Sequence, residues 1–183
     1  AKTKFLGCDV VTVDKETKKV TEIEINRGKK ASATVSLECY VMAKDLFISL
    51  VNKAVETSSL YWLKDILKDS LAELNIRTYA AKGYVGCLNS LAAYYGVSME
   101  LKDRKVASGL FKKDWPIYTH TSDSSPCTYT ATSTLKGSVI ANGCTIEGTV
   151  DGCVIGRNVT VKKGAVLKNC VVLSNSYIGE NSM

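Results

Sequence analysis

One histidine, His120, stands in the whole chain, and the only prolines are Pro116 and Pro126. So little histidine removes most routes to a histidine-ligated metal or a histidine-activated nucleophile. No stretch approaches the roughly 18 consecutive apolar residues that a membrane-spanning helix needs. The first residues carry scattered lysines but no apolar core of a secretion signal. Neither a membrane partner nor export is therefore expected. None of the seven cysteines forms a CxxC pair, so a zinc site is not expected either. Their wide spacing and apolar neighbours fit reduced, mostly buried thiols in a cytoplasmic protein. The chain opens Ala1-Lys2-Thr3 without an initiator methionine and stops soon after Ile178-Gly179-Glu180. That suggests a piece of a longer protein, with sequence missing at both ends.

The excess charge is modest, a formal net +6 over 183 residues, and most of it lies before residue 116. Its densest patch is Lys102, Arg104 and Lys105, then Lys112 and Lys113. A solvated loop is the plain reading, and a surface for a phosphorylated effector is the sharper one. The basic residues are not interleaved with aromatics, so nucleic acid is not an expected partner.

The first part of the chain reads as mixed α/β. Val10–Val13 and Val20–Ile25 flank a polar turn and predict a hairpin. Ala33, Val35, Leu37, Cys39 and Val41 alternate and predict a strand with one buried face. Leu46, Phe47, Leu50, Val51 and Ala54 fall on a helical stripe, as do Leu60, Leu63, Leu67, Leu71 and Leu74. Ile76–Ala81 reads as a short strand. Ser90 is placed to cap a helix whose apolar face includes Leu91, Tyr94, Tyr95 and Met99. Residues 113–132 hold both prolines and read as an extended linker, with Trp115 and Tyr129 as packing anchors and His120 as a solvated side chain.

From Ser133 a repeat begins. Ile140, Ile146, Ile155, Val161, Leu167 and Leu173 follow one another at steps of six, with one step of nine. Two residues before them stand Ser138, Cys144, Cys153, Val159, Ala165 and Val171. Glycines (Gly137, Gly143, Gly148, Gly152, Gly156, Gly164, Gly179) and Asn142, Asn158 or Asn169 mark the corners. A period of six predicts three short faces per coil, each aliphatic residue pointing into a triangular prism. Such coils stack on their neighbours as in other solenoids. This pattern resembles the hexapeptide-repeat proteins, and that resemblance implies a left-handed parallel β-helix of about 18 residues per coil.

The preceding half resembles one family that carries such a helix. Gly83-Tyr84-Val85-Gly86-Cys87-Leu88-Asn89-Ser90, then Tyr94-Tyr95 and Met99-Glu100-Leu101, is similar to the G-Y-W-x-D-V-G-T…Y-Y…N-M-D-L of ADP-glucose pyrophosphorylase, or glucose-1-phosphate adenylyltransferase. Ser36-Leu37-Glu38-Cys39-Tyr40-Val41 resembles its A-S-M-G-I-Y-V-F, and Tyr61-Trp62-Leu63-Lys64-Asp65-Ile66-Leu67 its D-F-G-K-D-L-I. Trp115-Pro116-Ile117-Tyr118-Thr119, with Pro126 and Tyr129, resembles its linker. The resemblance implies an α/β segment, the C-terminal part of a nucleotidyltransferase domain, over residues 1–112. A linker over 113–132 and the left-handed parallel β-helix of hexapeptide repeats over 133–183 would follow.

The family joins ATP to glucose 1-phosphate, releasing pyrophosphate and making ADP-glucose for glycogen, with Mg2+ expected in active members. The resemblance implies sugar-contacting positions at Ser36, Tyr40 and Trp62. It also exposes departures. Cys87 replaces the Asp that the family uses as a metal ligand, and a neutral thiol is a poor magnesium ligand. Val85 replaces the Trp, and Tyr61 the Asp of D-F-G-K-D. The E-K-P lysine that holds the sugar phosphate has no counterpart in Glu24-Ile25-Asn26-Arg27, and no glycine-rich nucleotide loop is present. These losses lead to the expectation of a regulatory or assembly subunit with no catalytic residues, metal or cofactor of its own. A homologous catalytic subunit or self-association would supply the partner, with sugar phosphate as a ligand. The alternatives are an active but divergent sugar nucleotidyltransferase, or a hexapeptide acyltransferase. The last lacks a histidine in residues 121–183.

Overall fold

The computed structural model describes residues 5, 7–25, 33–57 and 63–183. They divide into two compact units, Ala1–Ala81 and Lys82–Met183.

In the first unit, β1 (Asp9–Val13) pairs antiparallel with β2 (Val20–Ile25). The turn between them is set by Asp14, whose carboxylate accepts from the Thr17 amide at 2.7 Å and the Thr17 hydroxyl at 2.6 Å. Lys18 takes a positive φ of 58° there. On the far side of β1 lies β3, confined to Thr34–Val35. The longer strand expected over 33–41 does not form. After Val35 the chain leaves the ladder: the Ser36 amide donates to the Asp9 carbonyl at 2.8 Å, and Glu38 turns the backbone at φ 55°. Leu37, Cys39 and Val41 are consequently exposed.

Helix α1 (Lys44–Thr57) buries Leu50, and α2 (Leu63–Asp69) buries Ile66 and Leu67; Ala54, Leu63, Leu74 and Ile76 pack around them. The expected stripe on α1 is narrower than its sequence, since Leu46, Phe47 and Val51 stay exposed. Leu60 lies outside the described residues. The expected strand over 76–81 reduces to a bridge between Lys19 and Arg77, flanked by hydrogen bonds from Val20 to Ile76 and from Thr78 to Lys18.

The second unit opens with α3 (Leu91–Glu100), capped as expected by Ser90, whose hydroxyl accepts from the Ala93 amide at 3.1 Å. Its predicted inward face is not buried: Leu91, Tyr94 and Tyr95 are exposed. Instead the helix rests against the outside of a solenoid sheet, at the strand β12 described below. A further helix, α4 (Arg104–Leu110), occupies the stretch read as a basic loop and is capped by Asp103. Trp115 is 80% exposed and anchors nothing in the described structure.

Ten short strands follow: β4 (Thr128–Tyr129), β5 (Thr134–Lys136), β6 (Val139–Ile140), β7 (Thr145–Ile146), β8 (Thr149–Asp151), β9 (Val154–Ile155), β10 (Thr160–Val161), β11 (Val166–Lys168), β12 (Val171–Val172) and β13 (Tyr177–Ile178). They stack in parallel as three sheets, β4-β7-β10-β13, β5-β8-β11 and β6-β9-β12, a solenoid of about three turns. The first strand falls inside the segment read as linker.

The register shows how the core is filled. Tyr129, Ile146, Val161 and Ile178 form one column, Leu135, Val150 and Leu167 a second, and Ile140, Ile155 and Val172 a third. Ile146, Val150, Ile155, Val159, Val161 and Ala165 are essentially inaccessible, with Cys144 and Cys153 between them. Two corrections to the hexad reading follow. The step of nine hides an inward residue, Val150. Leu173 is not inward but 63% exposed, and Val172 takes its place over Ile155.

The physical reason is the position of the corners. Left-handed backbone occurs at Gly137, Gly143, Gly152, Asn158, Gly164, Asn169 and Asn175. Each stands three residues before an inward aliphatic: Ile140, Ile146, Ile155, Val161, Leu167, Val172 and Ile178. The corner at Asn169 follows Leu167 by only two residues, so the next inward position arrives at 172. Asn142, Gly148, Gly156 and Gly179, also read as special corner residues, do not take positive φ. Gly156 is needed for another reason, since a Cβ there would lie 2.6 Å from the Ser174 amide nitrogen of the next coil.

This register makes a contrast testable by thermal melting. Val150→Asp places an unpaired charge in the prism and is expected to cost about 3 kcal/mol or more. Leu173→Asp, on the solvent side, is expected to change stability by less than about 1 kcal/mol. Equal destabilisation by the two would overturn the register.

Candidate functional site

Ser36 and Tyr40 sit together on the turn that leaves β3. The Ser36 hydroxyl accepts from the Glu38 amide at 3.1 Å, and its side chain is hydrogen-bonded to the Tyr40 phenol. Burial pushes that phenol above its ordinary range against the Ser36 bond, and the Glu38 and Asp9 carboxylates add to the rise. Trp62, the third position suggested by sequence, lies outside the described residues.

Two residues that sequence reading did not single out face the same turn. Asp9, at the start of β1, is 3% exposed, yet it carries a carboxylate. Lys64, on α2, comes to it: Nζ donates to Oδ1 at 3.5 Å and stands 3.3 Å from Oδ2 as an ion pair. No hydrogen bond reaches Oδ2 among the described residues. Burial lowers the Lys64 pKa, but the Asp9 hydrogen bond and charge, with Glu38 and Asp65, raise it above its usual value on balance. The cluster thus sets one cation, Lys64, among three carboxylates, Asp9, Glu38 and Asp65.

The basic patch in the second unit is less uniform than its sequence. Lys102 is drawn away from solvent, its ammonium donating to the Gly152 carbonyl at 2.5 Å. Arg104 and Lys105 open α4 beside the Asp103 cap, and with Lys112 and Lys113 they remain exposed.

The segment that carries Cys87 is tightly placed. The Tyr84 hydroxyl donates to Glu100 Oε2 at 2.8 Å, and its pKa is pushed up to about 12 by burial and by that carboxylate. A Cβ on Gly86 would lie 3.0 Å from a Val97 methyl, so a larger residue there would require Val97 of α3 to shift. A Cβ on Gly109 of α4 would meet Tyr84 at 3.4 Å, an ordinary van der Waals contact. Cys87 is half-buried in this frame. Where the resembling family has a carboxylate, the donor here is a thiol, which does not fit Mg2+.

The Asp9–Lys64 pair gives an asymmetric prediction. Lys64→Met leaves a buried carboxylate without its cation and is expected to cost about 3 kcal/mol. Asp9→Asn leaves an ammonium that still reaches water, and is expected to cost less. Because the folded pKa of Lys64 is raised, its stabilising contribution is complete below its ordinary value of 10.5 and is lost as pH rises through the folded value. Asp9→Asn is expected to flatten that alkaline loss in urea titrations followed across pH.

Residues 127–183 match a family model described as the GlmU-like C-terminal hexapeptide. The chain is 36% identical to glycogen biosynthesis protein GlgD of Geobacillus stearothermophilus over 161 residues, 88% of this chain and 42% of that protein. It is also 36% identical to GlgD of Bacillus subtilis over 137 residues, covering 73% of the chain and 38% of the relative. Glucose-1-phosphate adenylyltransferase of Streptomyces coelicolor is 37% identical over 87 residues, 48% of this chain and 22% of that protein. The chain therefore spans about two fifths of the length of the GlgD proteins it matches.

Proposed function

We propose that this chain, a homologue of the GlgD and glucose-1-phosphate adenylyltransferase proteins, is part of a regulatory or assembly subunit of cytoplasmic glycogen biosynthesis that does not itself catalyse adenylyl transfer. The observation that carries this reading is the state of the Cys87 segment. Tyr84 bonds Glu100 there, with Gly86 beside Val97 and Gly109 beside Tyr84. The carboxylate that the family's motif would present there is replaced by a thiol. A hard divalent cation prefers oxygen donors, so the substitution removes metal affinity without disturbing the fold around it. The Mg2+ that offsets phosphate charge in such reactions would then be held by a homologous catalytic subunit.

Such a subunit acts by binding one conformational state of its partner better than another. In this reading Ser36 and Tyr40 would contact a sugar phosphate, and the exposed Arg104, Lys105, Lys112 and Lys113 would meet a phosphorylated effector. A second reading, an active and divergent nucleotidyltransferase, draws on the relatives named glucose-1-phosphate adenylyltransferase, one of them 25% identical over 89% of the chain.

The two readings separate in one experiment. The parent protein is assayed for pyrophosphate release from ATP, glucose 1-phosphate and Mg2+, alone and co-expressed with a catalytic homologue from the same source. The expected result is no release alone, co-elution of the two proteins, and altered kinetics of the catalytic one. Turnover by the parent protein alone supports the second reading; separate elution with unchanged kinetics defeats the first.

A further inference from the structure

Two thiols in the solenoid touch. Cys153 Sγ and Cys170 Sγ lie 3.4 Å apart. They precede β9 and β12, whose residues Val154 and Val171 are direct parallel partners, so the two cysteines are register neighbours on adjacent coils. The Val154 amide donates to the Cys170 carbonyl at 2.9 Å, which holds the backbones at strand spacing. Neighbouring strands run about 4.8 Å apart, inside the Cα separation a disulfide bridges. Both cysteines are free thiols in this structure.

Their exposures differ in a useful way. Cys153 is fully buried, whereas Cys170 is half-buried. Each also follows a corner residue whose carbonyl is held from outside. Lys102 donates to the Gly152 carbonyl, and the Tyr95 hydroxyl donates to the Asn169 carbonyl at 2.6 Å. The pair thus lies directly behind the two bonds that fasten the α3–α4 segment to the solenoid.

We propose that Cys153 and Cys170 form an oxidisable pair, closing to a disulfide between adjacent coils beneath the α3–α4 attachment. The oxidant is a peroxide. The Cys170 thiolate attacks one peroxide oxygen, the O–O bond breaks, and hydroxide leaves, giving a sulfenic acid at Cys170. The Cys153 sulfur then attacks the Cys170 sulfur. The S–S bond forms, the S–O bond breaks, and the thiol proton leaves with the hydroxyl as water. Two electrons pass from the two sulfurs to the peroxide. Burial and the shared Cys153 hydrogen bond push the Cys170 thiol up to about 11, so little thiolate is present at neutral pH. The pair therefore responds to sustained oxidation and is not a fast sensor.

The test is a non-reducing tryptic map of the 183-residue chain after hydrogen peroxide treatment, denaturation and alkylation. Arg157, Lys162, Lys163 and Lys168 lie between the cysteines, so trypsin separates their peptides unless a disulfide joins them. The expected result is a Cys153–Cys170 linked peptide, lost on reduction, with a raised melting temperature in the oxidised protein. Cys170→Ser is expected to leave Cys153 fully alkylated after the same treatment. Full alkylation of both cysteines in the treated wild type, over-oxidation of Cys170 without a link, or pairing of Cys153 with any other cysteine would overturn the proposal.

Discussion

The solenoid depends on one backbone requirement: each left-handed corner stands three positions before an inward aliphatic. An ordinary side chain resists that conformation, whereas glycine and, less freely, asparagine accept it. Every corner from Gly137 to Asn175 obeys the rule with one of those two types. The residue after each corner must be small, because it fills the angle of the triangle beside its neighbours. Ser138, Cys144, Cys153, Val159, Ala165, Cys170 and Ser176 occupy those places. The thiols of this region are there first as compact apolar groups, and their stacking in register is what brings two of them into contact. Corners stack as well, the Asn158 amide donating to the Asn175 carboxamide oxygen at 3.3 Å.

Much of this was legible. The offset of two between small and large residues is correct, and it carried the fold from sequence alone. What sequence reading missed was that coils need not advance by strict sixes. Ile146 to Val150 is a step of four, taken without any left-handed residue, and no local composition marks it. Asn169 shortens its turn to five, so a six-residue count lands on Leu173, which the chain leaves in solvent. Reading the register from Asn and Gly positions would have found Val172 directly.

The first unit was harder to read, because its decisive contacts are long-range. Alternation over 33–41 predicts a strand, but the Ser36 amide finds the Asp9 carbonyl and the ladder ends there. Ser36 and Tyr40 were visible only through family resemblance. Asp9 and Lys64 are 55 residues apart, and neither stands in a pattern that announces an ion pair. A buried carboxylate with one partially exposed cation is costly to form and costly to break, and the backbone carbonyl of the same Asp9 accepts from Ser36 at the start of the turn.

Side chains that support shape are intact across the second unit: Ser90 and Asp103 cap their helices, Tyr84 meets Glu100, and Tyr95 and Lys102 satisfy corner carbonyls that point outward from the coils. Lys102 shows how a charge count can mislead, since a cation read as surface for an effector is spent on a backbone oxygen. Cys87 shows the converse. Its thiol is a poor ligand for a hard divalent cation, in a segment held by the Tyr84–Glu100 hydrogen bond. The corners, caps and outward carbonyls of this unit are satisfied by other residues.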